Sequence, residues 1–171
     1  LNVNNEPFIV DTGISTYNPT QRRQLERSTA SHNTVQIGNY EQSEVWSSFR
    51  VARRAYPVLE KDTSNKIAAK LQLSTLEATH HRHFEFRENE VTISDGIKAK
   101  KEGKAYLHFH PLVKVEVKGN QIQTNLGLVS IEGAKNIEIV DYQYAPEFNK
   151  LITAKKAIIS FSTSLETIIS I

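Results

Sequence analysis

Apolar and polar positions alternate with a period of two along most of the chain, the pattern of strands with one face buried. Ile67, Ala69, Leu71 and Leu73 alternate with Ala68, Lys70 and Gln72. The spacing returns at Phe84/Phe86, Val91/Ile93, Val113/Val115/Val117, Ile122/Thr124/Leu126, Ile137/Ile139 and Ile158/Ser160. Phe8-Ile9-Val10 reads as a further, buried strand. Turn residues separate these runs at Asn4-Asn5, Ser94-Asp95-Gly96, Glu102-Gly103-Lys104, Lys118-Gly119-Asn120 and Glu132-Gly133. Lys118-Gly119-Asn120-Gln121, between two alternating runs, predicts a hairpin. One stretch departs from the alternation. From Asn18 to Arg27 a capping residue is followed by proline at the first helical position, which predicts a short helix near residues 19–27 carrying Arg22, Arg23 and Arg27. Many short strands at regular spacing imply an all-β domain over residues 1–171, an antiparallel sandwich or barrel.

Composition narrows the function classes. A net charge of +2 is too small for a nucleic-acid-binding face, so no nucleic-acid partner is expected. No apolar run approaches the ~20 residues of a membrane helix, and no membrane span is expected. The absence of cysteine rules out disulfides and thiol catalysis and leaves the compartment open. There is no methionine, and a buried strand starts almost at the first residue, so a fragment of a longer chain is expected. Nucleophile-elbow, phosphate-loop and zinc-finger spacings are absent, which counts against hydrolase, kinase and zinc-finger classes.

Two residues stand out as candidate chemistry. A strand delivers Asp11 into a turn at Thr12-Gly13, and Ser28 to Val35 brings His32 to the start of another strand. A carboxylate and an imidazole are suitable zinc ligands, though two need at least one more from elsewhere. On spacing alone the favoured reading is a turn-starting carboxylate and a locally hydrogen-bonded histidine. Arg22, Arg23, Arg27, Arg50, Arg53 and Arg54 suit uronate carboxylates through their forked guanidinium groups. The competing reading is a solvated face with ion pairs to Glu26, Glu41 and Glu44. Trp46 and Tyr40 are candidates to stack on sugar rings; the favoured reading of Trp46 is core or a contact with another domain. His80, His81 and His83 read as strand-surface histidines, with His80 on the opposite face from the other two, and His108 and His110 read as sheet residues.

Val10-Asp11-Thr12-Gly13, Arg27-Ser28-Thr29-Ala30-Ser31-His32-Asn33-Thr34-Val35, Gln42-Ser43-Glu44 and Phe49-Arg50 resemble the C-terminal domain of heparinase II/III-like polysaccharide lyases. His81-Arg82-His83-Phe84, Val91 to Asp95, Leu107 to Pro111 and Tyr144 to Phe148 follow in the same order, so the resemblance covers nearly the whole chain. It implies a two-sheet antiparallel β-sandwich preceded, in the full protein, by a helical toroid domain. It further implies a bacterial protein of the periplasm or cell envelope that cleaves acidic polysaccharide by β-elimination. Asp11 and His32 match two of three protein ligands of a zinc or other divalent ion, the third being an upstream histidine. The site is therefore expected to be incomplete, the fragment inactive and no catalytic residue present, with Arg27 and Arg50 as substrate-binding residues. The alternative is a non-catalytic carbohydrate-binding or structural sandwich.

Overall fold

The computed structural model describes residues 1–73 and 76–171. In chain order its strands are β1 (Asn2–Val3), β2 (Glu6–Pro7), β3 (Val35–Ile37), β4 (Glu44–Trp46), β5 (Arg50–Ala52), β6 (Val58–Asp62) and β7 (Lys66–Leu73). They continue with β8 (Ala78–Arg87), β9 (Glu90–Lys98), β10 (Gly103–His108), β11 (Val115–Lys118), β12 (Gln121–Thr124), β13 (Leu128–Tyr144) and β14 (Ile152–Ser170). One helix, α1 (Gln21–Glu26), and a 3-10 turn at Thr29–Ser31 lie between β2 and β3.

Strand β14 shows how the alternation becomes two layers. Ala157, Ile159 and Phe161 are buried on one face, and Leu165, Thr167 and Ile169 continue that face beyond an exposed break at Ser162-Thr163-Ser164. Before the break β14 pairs with β10; after it β14 pairs with β9. Strand β13 follows β14 on both sides, shifting register between Glu132 and Asn136 to turn the same corner. One layer is thus β3-β10-β14-β13, and the other runs β6-β7-β8-β9-β14-β13-β12-β11. All these ladders are antiparallel. The result is an all-β sandwich whose layers share a long hairpin. Phe8, Val35, Phe109, Ile122, Ile159 and Phe161 are fully buried in its core. No helix among the described residues is long and apolar enough to cross a membrane.

The Lys118-Gly119-Asn120 hairpin forms as expected, between β11 and β12. Three local expectations are corrected. The helix cap is Thr20, not Asn18: the Thr20 hydroxyl accepts the Arg23 N–H, so the helix starts beyond Pro19. Ser94-Asp95-Gly96 is no turn but the middle of β9, facing β8. Glu132-Gly133 lies inside β13 at its register shift. Asp and Gly favour turns locally, but here cross-strand partners for Asp95 and the corner in β13 override that preference.

Candidate functional site

Residues Phe8 to Val10 run beside the end of β10, where the Val10 N–H donates to the His108 carbonyl (2.9 Å) and the His110 N–H to the Phe8 carbonyl (2.9 Å). This delivers Asp11 to the rim of the sandwich. The 3-10 turn delivers His32 to the same rim, because the Thr12 hydroxyl donates to the Ser31 carbonyl (2.7 Å). Asp11 Oδ2 and His32 Nδ1 meet at 2.7 Å, and the Gly13 N–H donates to Asp11 Oδ1 (3.1 Å).

Asn33 holds the pair from beneath. Its side-chain N–H donates to the Val10 carbonyl (2.8 Å), so its Oδ1 is the acceptor for the His108 backbone N–H (2.7 Å) and ring Nδ1 (3.1 Å). The Asn33 carbonyl in turn accepts Arg82 Nη1 (2.6 Å), and Arg82 forks onto Asp95 (2.7 and 2.9 Å). Asp95 also binds His80 Nε2 (2.6 Å). His80 and Asp95 are buried, which corrects the reading of His80 as a surface histidine. His81 lies on the other face within 3.5 Å of Glu60, and His83 is exposed.

His108 is sealed from solvent, its ring edge-on to Tyr142 at 4.8 Å between centroids. Burial, with Lys156 adding to it, pushes the ring down to about 3, so it is neutral with Nδ1–H toward Asn33. Its Nε2 has no hydrogen-bond partner among the described residues. Burial likewise pushes the Tyr142 hydroxyl above its ordinary range, and that group donates to the Phe109 carbonyl (2.8 Å).

The Asp11–His32 pair is only half-buried. The hydrogen bond to Asp11 raises the His32 ring above 6.5, against burial. Burial raises Asp11, but the His32 hydrogen bond and the Gly13 N–H outweigh it and hold the carboxyl below 3.8. His32, raised on folding, stabilises the fold below about 6.5 and loses that contribution as pH rises through its folded value. Asp11, lowered, contributes above about 3.8 and loses it as pH falls through its folded value. The pair therefore helps fully between these limits, by less than ~1 kcal/mol at such an exposed position. In Asp11→Asn the His32 ring, followed by NMR titration, is expected to fall to 6.5 or below; an unmoved ring would mean Asp11 does not set it.

An open cleft of ≈ 410 Å³ adjoins the pair, lined by Asp11, His32, Arg23, Arg27, Val45 and Val51 among others. Arg27 thus shares the rim with His32, but its guanidinium points at the β4–β5 hairpin. Nη1 donates to the Trp46 (3.3 Å) and Ser47 (3.1 Å) carbonyls and Nη2 to the Arg50 carbonyl (2.9 Å). Arg50 is not brought to the cleft: it pairs across the hairpin with Trp46, on the face opposite Val45 and Val51. Trp46 is 42% exposed and so is not core. Among the expected ion pairs, Arg22–Glu26 (2.9 Å) and Arg53–Glu44 (3.3 Å) form.

The donor set at the rim suits a divalent ion in kind, one carboxylate oxygen and one imidazole nitrogen within reach of a common point. It falls short in number, since no group of three possible ligands occurs among the described residues. The Asn33, Arg82, Asp95 and His80 network was missed in the sequence. Asn33 stood beside His32, but Asp95 was read as a turn residue.

The chain belongs to the heparinase II/III-like, C-terminal family, whose model matches residues 1–171. Among solved structures it is similar to heparinase III, a BT4657 gene product, with TM-score 0.73 and 14% identity over 98% of this chain and 29% of that one. It is also similar to the heparan sulfate lyase HepC from Pedobacter heparinus, with TM-score 0.71 and 12% identity over 97% of this chain and 28% of that one. At these identities the likeness establishes the fold. The chain spans about 28% of the length of such solved chains. No curated protein matches it.

Proposed function

We propose that this domain is the C-terminal part of a polysaccharide lyase that cleaves a uronate-containing acidic polymer by β-elimination. The observation that carries the reading is the meeting of Asp11 and His32 at 2.7 Å on the rim of an open cleft, in a chain whose family is that of heparinase-like lyases. The solved relative named a heparan sulfate lyase is the model for the substrate class. In this reading a helical toroid preceding the sandwich closes the cleft and carries the proton-transfer groups, and no catalytic residue lies in the present chain. Arg50, exposed on the hairpin face turned away from the cleft, and Arg27, which lines the cleft, are the side chains assigned to the polymer's carboxylates.

A zinc or other divalent ion would be held by Asp11 and His32 together with a ligand from outside the chain, and would supply a tie between the rim strands. Asp11 orients the His32 ring, and Asn33 fixes the backbone on both sides of the pair. The same reading assigns the protein to the periplasm or cell envelope of a bacterium.

The test is ultraviolet absorbance of new unsaturated uronate ends when the full-length protein meets a panel of acidic polysaccharides. A signal from the full-length protein and none from this domain alone is expected. Silence across the panel would reject the lyase reading in favour of a non-catalytic carbohydrate-binding sandwich.

A further inference from the structure

Among the described residues the β4–β5 hairpin forms a separate two-stranded sheet, its strands pairing with no other strand. Such a hairpin is marginal in water by itself. Helix α1 fastens it through side chains that grip the tip's carbonyls. Arg23 Nε donates to Ser48 (3.1 Å), Gln24 Nε2 to Ser47 (2.6 Å), and Arg27 to Trp46, Ser47 and Arg50. The Arg23 guanidinium also lies over the Tyr17 and Phe49 rings, at 5.3 and 5.8 Å from their centroids. The helix is itself anchored below, since the buried Glu26 accepts the Ser15 N–H (2.8 Å) and Arg22 Nε (2.9 Å).

The hairpin so held has two unlike faces. Val45 and Val51 line the cleft, while Trp46 and Arg50 stand opposite each other on the outer face. Arg53 and Arg54 follow directly, both exposed, with Glu44 the one carboxylate of the segment. A flat indole beside a guanidinium, in a segment with a surplus of positive charge, suits a pyranose ring bearing a carboxylate or sulfate. The ring's apolar C–H face meets the indole, and its anion meets the planar fork.

We propose that the outer Trp46–Arg50 face is a binding surface for an acidic sugar polymer, and that Arg27, with Arg23 and Gln24, is a positioning residue that holds this face in place without touching the polymer. The inference rests on the acidic-polymer reading above and departs from it in taking Arg27 away from the substrate. Three of the five Arg27 guanidinium N–H groups are directed at hairpin carbonyls, two from Nη1 and one from Nη2.

Trp46 is the single tryptophan of the chain, so its fluorescence reports on the hairpin alone. In the ligand-free chain, Arg27→Gln and Arg27→Lys are both expected to shift Trp46 emission to the red and lower its anisotropy, with the far-ultraviolet melting curve nearly unchanged. Gln24→Ala, which removes one grip and no charge, should do the same to a smaller extent. Heparin and alginate are expected to change Trp46 emission saturably in the wild type, and neutral dextran is not. Both Arg27 variants should bind about tenfold more weakly, because an unheld arm must be ordered on binding.

Wild-type affinity in Arg27→Lys would show that only the charge matters and would overturn the positioning role, as would unmoved Trp46 fluorescence in the ligand-free variants. A Trp46 silent to both acidic polymers overturns the sugar face. So does a Trp46 already buried in the longer protein, which would give this face to a domain contact. Neither readout requires cleavage, so a failed lyase assay leaves the proposal standing or falling on its own.

Discussion

Asp95→Asn is expected to cost about 3–5 kcal/mol of stability, the scale for removing one partner of a buried ion pair. The carboxylate is buried between two strands with its oxygens bound to Arg82 Nε (2.7 Å), Arg82 Nη2 (2.9 Å) and His80 Nε2 (2.6 Å). Burial alone would raise Asp95, but the His80 hydrogen bond and the Arg82 charge overcome it and hold the group below 3.8. The carboxylate is therefore ionised and can only accept, so His80 Nε2 donates. Asparagine fills the same space but leaves the partly buried Arg82 guanidinium against a neutral amide. The linkage has a definite sign. A lowered folded value means Asp95 stabilises above about 3.8 and loses that contribution as pH falls through its folded value. Urea unfolding at neutral pH should show the full loss, and the gap between wild type and variant should narrow in acid. Adding Arg82→Met should recover part of the stability, since an apolar replacement of a whole buried pair is far better tolerated than half of one. A neutral-pH difference under ~1 kcal/mol would mean the network carries little. The loss also reaches the rim, because Arg82 Nη1 holds the Asn33 carbonyl beside His32.

That network shows where sequence reading stops. Alternation alone predicted the strands, since a period of two needs only a buried side and a wet side. It placed Leu71 and Leu73 in the core, but on β14 it picked Ile158 and Ser160 where the opposite face, Ile159 and Phe161, is the buried one. It also separated His80 from His81 and His83, because successive side chains on a strand oppose each other. The meeting of Asp11 and His32 was expected from the family resemblance, and spacing by itself favoured a turn and a local hydrogen bond. Asp95 was misread because aspartate before glycine is a strong turn signal, while its partners His80 and Arg82 lie on a neighbouring strand whose register the sequence does not display. The grip of α1 on the hairpin was hidden for a related reason. Arg27 bonds to backbone carbonyls about twenty residues away, and a carbonyl carries no residue identity to read. Polar contacts between distant segments were thus the illegible part, and they are what fixes the rim.

Gly13→Ala is expected to damage fold and rim together, by about 2–5 kcal/mol. Gly13 has φ +78°, a left-handed conformation in which an L side chain costs about 1–2 kcal/mol. A Cβ added there would lie 2.1 Å from the Ala145 carbonyl oxygen. That oxygen is backbone and cannot rotate aside, so the two segments must part, with a further overpacking cost of about 1–3 kcal/mol. They are joined at this point by the Gly13–Ala145 bridge and by the Ala145 N–H to the Thr12 carbonyl (2.8 Å). Parting them moves the turn whose Gly13 N–H holds Asp11 Oδ1 and whose Thr12 hydroxyl holds the Ser31 carbonyl. Thermal unfolding should show the stability loss, and the His32 ring should titrate nearer 6.5 as Asp11 withdraws. Gly119→Ala supplies the control. Its φ is +60°, yet an added Cβ there meets nothing within 4 Å, so only the conformational cost of about 1–2 kcal/mol applies. Its distance from the rim should leave His32 untouched. Equal losses in the two variants would show that the close approach of Gly13 to Ala145 does not set the position of Asp11.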